Sequence, residues 1–344
     1  MEKLRIGIIG AGANTRLRHI PGFQAIDGVS VDVVCNRSES SSRSAAEAFG
    51  IARTAKRWED VVADPEIDAI CIGTWPYLHA PITIAALKAG KHVLTEARMA
   101  MNADEAEEML AASLDRLDLV AQIVPSPFTL KWDATIAKIL ADGELGDLLE
   151  IHFAKSVGMN VDASSPLNWR QDRALSGNNT LMLGIYYEVV QRWLGIEPER
   201  VSAHGAVFTK SRKAGASGEQ KEVLIPETMS LVAEYEDGLR LTGRMSGVEL
   251  GKSTDEYVVC GSKGTLRLDL RAGKLTIASL GGTEREVTPM AADVGEWRVE
   301  ADFIDSIREG TPVKLTNFED GLAYMRLTDA AVRSIENDGA WQIL

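Results

Sequence analysis

The chain has 344 residues, 45% of them apolar and 25% charged, with a formal net charge of -13; this is an ordinary globular mixture, long enough for about two hydrophobic cores. The acidic balance argues against a nucleic-acid or anionic-membrane surface, both of which need clustered Lys and Arg. It leaves small molecules as the expected partner class.

The first predicted element is the apolar run Leu4-Arg5-Ile6-Gly7-Ile8-Ile9, which reads as a buried parallel strand. It feeds the tight turn Gly10-Ala11-Gly12. There Gly10 supplies the turn, Gly12 lets backbone approach a diphosphate, and the amides opening the next helix at Ala13 and Asn14 face the negative charge. The third glycine of the dinucleotide fingerprint is absent, with Thr15 in its place. The plain alternative is a strand ending in a flexible turn.

A helix over Thr15 to Ile26, interrupted near His19-Ile20-Pro21-Gly22, leads to a second strand, Val29 to Cys35. At its end stands Asn36-Arg37-Ser38, 24 residues beyond Gly12, where a dinucleotide fold selects its cofactor. A carboxylate there would hold a ribose 2′-hydroxyl; neutral Asn36 with Arg37 favours NADP over NAD, unless Arg37 is only a solvated loop charge. Helices at Ser42–Phe49, Trp58–Ala63 and Pro81–Ala89 alternate with strands near Ala52, at Ala69–Ile72 and at His92–Leu94. Asn102 caps a helix running to about Leu117, and Leu119–Val124 returns as a strand. This alternation predicts a parallel sheet covered on both faces.

The pattern changes at Pro125-Ser126-Pro127. A helix at Asp133–Asp142, a strand at Leu148–Lys155, and a helix at Thr180–Leu194 follow. The strands Ser230–Tyr235 and Leu239–Thr242 flank Glu236-Asp237-Gly238 as a hairpin, and another pair surrounds Gly261 to Gly264. Lys210–Lys221, rich in Gly, Ser and Lys, reads as a mobile loop. Helices at Glu296–Glu309 and Phe318–Glu336 close the chain. The expected fold is therefore α/β plus α+β: a dinucleotide-binding domain over residues 1–122 and a mainly antiparallel domain over 123–344. Cys35, Cys71 and Cys260 lack metal-type spacing and read as buried thiols of a cytoplasmic protein, with no metal site.

Three stretches together resemble the glucose-fructose oxidoreductase, inositol dehydrogenase and rhizopine catabolism (Gfo/Idh/MocA) family. They are Gly7 to Gly12 with His19-Ile20-Pro21-Gly22; Ile72-Gly73-Thr74-Trp75-Pro76-Tyr77-Leu78-His79 with Ala85 to Glu96; and Trp169-Arg170 through Gly184-Ile185-Tyr186 to Arg192-Trp193. The resemblance implies a Rossmann domain carrying NAD or NADP, joined to an open-faced antiparallel sheet often used for assembly, here as a homodimer or homotetramer. It also implies that Thr74, Trp75, Pro76 and His79 line the nicotinamide side, with Glu96 and Ala97 closing that pocket.

Two departures bear on chemistry. Family members follow the glutamate with Lys-Pro, whereas this chain reads Glu96-Ala97-Arg98; and where the family has Asp four residues before His on one helical face, this chain has Met182 and Tyr186. Oxidising a secondary alcohol requires a group that accepts the hydroxyl proton. Tyr186 is the candidate, provided a cation, Arg98 or Lys155, lowers its phenol; Arg98 itself stays protonated. Trp169 and Arg170 offer a stacking platform and clamp for a sugar ring, and Asn178 and Tyr187, with Glu188, offer further polar contacts. Capping and core packing are the structural alternatives for these residues. The leading expectation is an NAD(P)-dependent oxidoreductase acting on a sugar, polyol or related compound. Redox-assisted elimination or glycosidic cleavage, and a cofactor-binding protein without redox chemistry, stand as alternatives.

Overall fold

The computed structural model describes residues 3–215 and 218–344. They divide into two compact units, one made of residues up to Pro125 together with Arg298–Met325, the other of Ser126–Trp297 with Arg326–Leu344.

The first unit is a six-stranded parallel sheet of β1 (Leu4–Ile9), β2 (Val29–Cys35), β3 (Arg53–Thr54), β4 (Ala69–Ile72), β5 (His92–Thr95) and β6 (Ala121–Ile123), in the order β3-β2-β1-β4-β5-β6. Every residue of β4 is buried, and Ile6, Ile8, Ile70, Val93 and Leu94 are inaccessible. Strands covered on both faces demand such continuous apolar runs rather than alternation. The order reverses between β1 and β4, so the crevice beyond their carboxyl ends is the natural ligand position in this architecture.

The returning segment completes this unit by long-range contacts. The ring of Phe303 meets that of Phe23 edge-on at 6.3 Å, the Tyr324 hydroxyl accepts from the Met99 amide at 2.7 Å, and the Thr316 carbonyl accepts from the Ile123 amide at 3.0 Å. Gly22 permits the approach: a Cβ there would lie 2.8 Å from Glu300 Cγ.

The second unit is built on a nine-stranded, mainly antiparallel sheet. Its strands are β7 (Leu148–Ser156), β8 (Arg200–Ala206), β11 (Thr228–Glu234), β12 (Arg240–Ser246), β13 (Asp255–Gly261), β14 (Gly264–Asp269), β15 (Lys274–Ser279), β16 (Glu284–Val287) and β17 (Gln342–Ile343). The spatial order is β16-β15-β14-β13-β7-β12-β11-β8-β17, with β7 and β12 parallel. Burial alternates along β11 and β12, giving one apolar face and one face bearing Arg240, Thr242 and Arg244, as an antiparallel sheet with one wet side requires. The helix Leu183–Leu194 is buried along most of its length, including Leu183, Tyr186, Tyr187, Glu188 and Trp193.

Lys210–Lys221 departs from its expectation as a mobile loop. Its described residues form a second hairpin, β9 (Ser211–Ala214) with β10 (Glu219–Glu222); residues 216–217 lie outside the described set. The reason is Arg212, 2% exposed, whose guanidinium binds the carbonyls of Asn160, Asp162 and Ser165 and the carboxylate of Glu227. No helix among the described residues is long and apolar enough to cross a membrane, and no group of three or more His, Cys, Asp or Glu among them is placed to hold a metal ion.

Candidate functional site

In the first unit a cleft of about 630 Å³ opens beyond the carboxyl ends of β1, β2 and β4, lined by Gly10, Ala11, Gly12, Asn36, Arg37, Ser38, Gly73, Thr74 and Trp75. The Gly10 amide donates to the Cys35 carbonyl and the Gly73 amide to the Ile9 carbonyl, each at 2.8 Å, so the turn is stitched between both neighbouring strands. Gly10 has φ +90, and a Cβ there would stand 2.6 Å from the Thr74 amide nitrogen. Only glycine meets both conditions.

Thr15, in the place of the fingerprint's third glycine, is accommodated from the other side. A Cβ on Gly73 would lie 2.0 Å from Thr15 Oγ1, so the close helix-to-sheet approach is supplied by the glycine after β4. The helical segment begins as a π turn, Thr15–His19, before the α-helix Ile20–Gln24 with Pro21 in its first turn. Proline lacks the amide that would continue a regular ladder, and the chain widens ahead of it.

Asn36 lines the cleft, but its side chain is engaged within the loop: Oδ1 accepts from the Ala11 amide at 2.6 Å and Nδ2 donates to the Ser41 carbonyl at 3.0 Å. Its role is to strap the glycine turn to the end of β2. Arg37 is exposed, its guanidinium 5.3 Å from the centre of the Trp75 ring, and Lys56 and Arg57 join it at the rim. Sequence reading missed these last two, as well as Ser41, because they lie one element further on. The residues fit a nicotinamide dinucleotide: glycine backbone that a side chain would block, an exposed Arg37 at a rim of mixed charge that also carries Lys56, Arg57 and Glu59, and a buried Thr74 Oγ1 without a hydrogen-bond partner at the cleft wall.

Glu96 heads a buried network in the same unit. Its Oε1 accepts from Asn14 Nδ2 at 2.5 Å and lies 3.0 Å from His19 Nε2, while His19 Nδ1 lies 2.5 Å from Glu300 Oε1. Burial opposes charge on His19, yet hydrogen bonds to Glu300 and Glu96 and their negative charge raise its pKa from 6.5 to about 9. Burial likewise pushes the Glu96 carboxyl up, but His19 and Asn14 hold it below its ordinary value. The site therefore holds an imidazolium between two carboxylates. The Ala97 amide donates to Glu96 Oε2 at 3.2 Å, and its methyl group offers no acid or base.

His79 opens the helix His79–Lys88 that follows β4. It is 1% exposed and sits between the carbonyls of Thr74 and Arg98, at 3.1 and 2.9 Å. Burial lowers its pKa, and it acts as a brace for the two loops. Pro76 is buried at the start of a short 3-10 turn, Pro76–Leu78, and Arg98 is 2% exposed.

In the second unit the Tyr186 hydroxyl donates to Asp255 Oδ1 at 2.6 Å, and the other carboxylate oxygen pairs with Lys155 Nζ. The ring stacks on Tyr257, centroids 5.6 Å apart, and contacts Phe128 at 5.3 Å. A phenol lowered by a cation was the expectation; the opposite holds, because burial and the Asp255 carboxylate both raise it. Tyr187 is fully buried, its phenol raised by burial and by neighbouring Tyr235. Glu188 accepts from the Ser126 amide and pairs with Arg192, which is structural. Asn178 is similarly occupied, Nδ2 donating to Asp329 and Oδ1 accepting from Arg173. The Trp169 ring carries the Arg170 guanidinium 4.2 Å from its centre, so its neighbour already covers one stacking face.

Comparison with known proteins agrees with this geometry. Residues 4–121 match the model described as an oxidoreductase family with an NAD-binding Rossmann fold, and residues 134–267 match the GFO/IDH/MocA C-terminal domain. An uncharacterised oxidoreductase of Rhizobium meliloti is 28% identical over 360 residues, 99% of each chain. Levoglucosan dehydrogenase of Pseudarthrobacter phenanthrenivorans is 23% identical over 383 residues, 97% of this chain and 96% of its own. A solved levoglucosan dehydrogenase in complex with NADH and L-sorbose shares the fold at a TM-score of 0.88 and 21% identity, over 100% of this chain and 99% of the other. The glycine cleft, the open-faced sheet and both matching domains thus agree: the chain belongs to the Gfo/Idh/MocA family of NAD-binding oxidoreductases.

Proposed function

We propose that this protein is a dehydrogenase or reductase that moves a hydride between a nicotinamide dinucleotide and a hydroxyl or carbonyl carbon of a sugar, polyol or related small molecule. The observation that carries the reading is the cleft floored by Gly10, Gly12 and Gly73, where a side chain would strike backbone. Support for the substrate class comes from the levoglucosan dehydrogenase matched along nearly the whole chain. When bound, the nucleotide supplies or accepts the hydride at its nicotinamide ring. The chain's own residues cradle the diphosphate at the Gly10–Gly12 turn, brace the loop at Thr74 through His79, and hold Glu96 ionised through His19 and Asn14.

The rim favours NADP. No carboxylate stands at the end of β2, where one would grip a 2′-hydroxyl, and Arg37 offers a charge for a 2′-phosphate. We expect Arg37→Asp to weaken NADPH binding by about 10-fold or more, a loss of about 1.4 kcal/mol, with NADH affected far less. Titrating protein fluorescence with each nucleotide measures this, and equal effects on both would remove Arg37 from cofactor selection. We further propose a cytoplasmic homo-oligomer, which sedimentation of the purified protein tests.

Nucleotide reduction across levoglucosan, L-sorbose, D-glucose and myo-inositol, together with calorimetry of nucleotide binding, tests the main reading. Binding with turnover on any of these compounds supports it; absence of binding to either nucleotide overturns it.

A further inference from the structure

In the first unit, the π turn that follows the glycine turn brings two side chains onto one carboxylate oxygen. The Ile20 amide donates to the Thr15 carbonyl, five residues back. In a regular α-helix, residues five apart point about 140° away from one another; the widened turn sets Asn14 and His19 on the same side. Their side-chain nitrogens lie 3.4 Å apart, and both reach Glu96 Oε1, at 2.5 and 3.0 Å. From the returning helix Val299–Glu309, Glu300 takes the other ring nitrogen of His19 at 2.5 Å. It lies against Gly22, where a Cβ would stand 2.9 Å from its Oε2. Glu96 itself follows β5, and its amide donates to the Ile72 carbonyl at the end of β4 at 2.9 Å. In a sheet built from two mononucleotide-binding halves, the second nucleotide lies over the strands beyond the switch point, here β4 and β5. Glu96 Oε2 accepts from the Ala97 amide at 3.2 Å. A carboxylate oxygen has room for a second donor, and this side chain is 16% exposed.

We propose that nucleotide binding is coupled to a proton on His19: Glu96 Oε2 accepts from a hydroxyl or amide of the nicotinamide half, and His19 and Glu300 are positioning residues that hold the carboxylate for it. This rests on the oxidoreductase reading and deepens it. An imidazolium donates from both ring nitrogens, one to each carboxylate. A neutral imidazole has a single N–H, so one carboxylate is left facing a lone pair. Loss of the proton therefore loosens Glu96 Oε1 and lets the carboxylate turn from the ligand. Glu300 acts by keeping the proton in place: the ring is inaccessible, burial alone would expel the charge, and the pKa of about 9 depends on both counter-charges. Cys71 and His79 also feel these carboxylates. Burial and the two negative charges keep the Cys71 thiol protonated, and burial keeps His79 neutral, so neither changes charge around pH 9. By reciprocity, a ligand that favours protonated His19 takes up protons as it binds.

The test uses the intact protein with whichever reduced nucleotide binds it more tightly, NADPH or NADH, and compares the wild type with Glu300→Gln and His19→Gln. Calorimetry in two buffers of different ionisation enthalpy reads the protons taken up. Near pH 9 the wild type is expected to take up a fraction of a proton per nucleotide, and His19→Gln less. Wild-type affinity, read by protein fluorescence, is expected to fall about 3-fold from about pH 7.5 to about pH 9.5, as a one-unit rise on binding of a pKa near 9 requires. In Glu300→Gln the side-chain carbonyl still accepts from the ring, but one counter-charge is gone. The fall is then expected about one pH unit lower or more, a shift that lost packing alone would not produce. The ¹³Cε1 histidine signals of the nucleotide-free proteins report the same displacement without any turnover, His19 being the signal missing from His19→Gln. Proton uptake in the wild type no greater than in His19→Gln, or an affinity profile unmoved in Glu300→Gln, overturns the proposal and leaves the oxidoreductase reading standing. A wild type that binds neither nucleotide overturns that reading instead.

Discussion

Raising the pH from about 6 to about 10 is expected to remove about 3 kcal/mol of folding stability through His19 alone. The imidazole is inaccessible and its pKa stands at about 9 against an ordinary 6.5, because two carboxylates outweigh the cost of burial. A group whose folded pKa is raised binds its proton more tightly in the native state. Its contribution is complete below the unfolded value of 6.5 and disappears as pH rises through 9; each unit of difference is worth about 1.4 kcal/mol. Glu96 works in the other direction: its folded pKa is lowered, so its contribution is present above the ordinary carboxyl range and fades as pH falls. Maximum stability from this network lies between those two limits. Urea denaturation of the wild type and His19→Gln at both pH values isolates the effect, because background titrations are common to both proteins. The wild type is expected to lose about 3 kcal/mol more than the variant on going to the alkaline condition. Equal losses would mean that His19 does not carry the proton.

That network also marks how far the sequence could be read. The strands of the first unit were legible because strands buried on both faces must be continuously apolar, and the turn at Gly10 because few residues other than glycine tolerate its backbone. His19 was visible as part of His19-Ile20-Pro21-Gly22, but its partner Glu300 lies 281 positions away, in a helix whose sequence gives no sign that it returns to the first unit. Local periodicity reports which face of an element is apolar, not what covers it. The same limit explains Tyr186, Tyr187 and Glu188. On a helix enclosed on most sides, adjacent residues are all buried, so position around the helix does not separate a site residue from a core one. Asp255 carried no motif at all; only the β7–β13 register sets it against Lys155 and beneath the Tyr186 hydroxyl. Lys210–Lys221 failed for a related reason, since its Gly, Ser and Lys content is that of a loop while its order comes from a single buried arginine.

Replacing the partner of that arginine is expected to have the largest effect on stability of any single change considered. Arg212 and Glu227 form an ion pair with side chains 1% and 0% exposed. Burial pushes the Glu227 carboxyl up, but the Thr209 amide, Arg212 and the Phe208 amide together hold it below its ordinary value. The amides of Phe208 and Thr209 both donate to Oε2 at 2.9 Å, and Arg212 donates to Oε1 at 3.0 Å. Glu227→Ala leaves the guanidinium among the carbonyls of Asn160, Asp162 and Ser165 without its buried counter-charge, and leaves two amides unsatisfied. An uncompensated buried charge costs about 3–5 kcal/mol, equivalent to a fall in Tm of about 10 °C for a unit of this size. Glu227→Gln preserves an acceptor for the amides and is expected to cost less, and Arg212→Met combined with Glu227→Leu less than the two single changes added together, since neither charge is then stranded. Chemical denaturation of the wild type, Arg212→Met, Glu227→Leu and the double variant gives the coupling energy directly. If Glu227→Ala unfolds within 1 kcal/mol of the wild type, the pair is not what orders the segment 208–214, and the hairpin must be held by β9–β10 pairing alone.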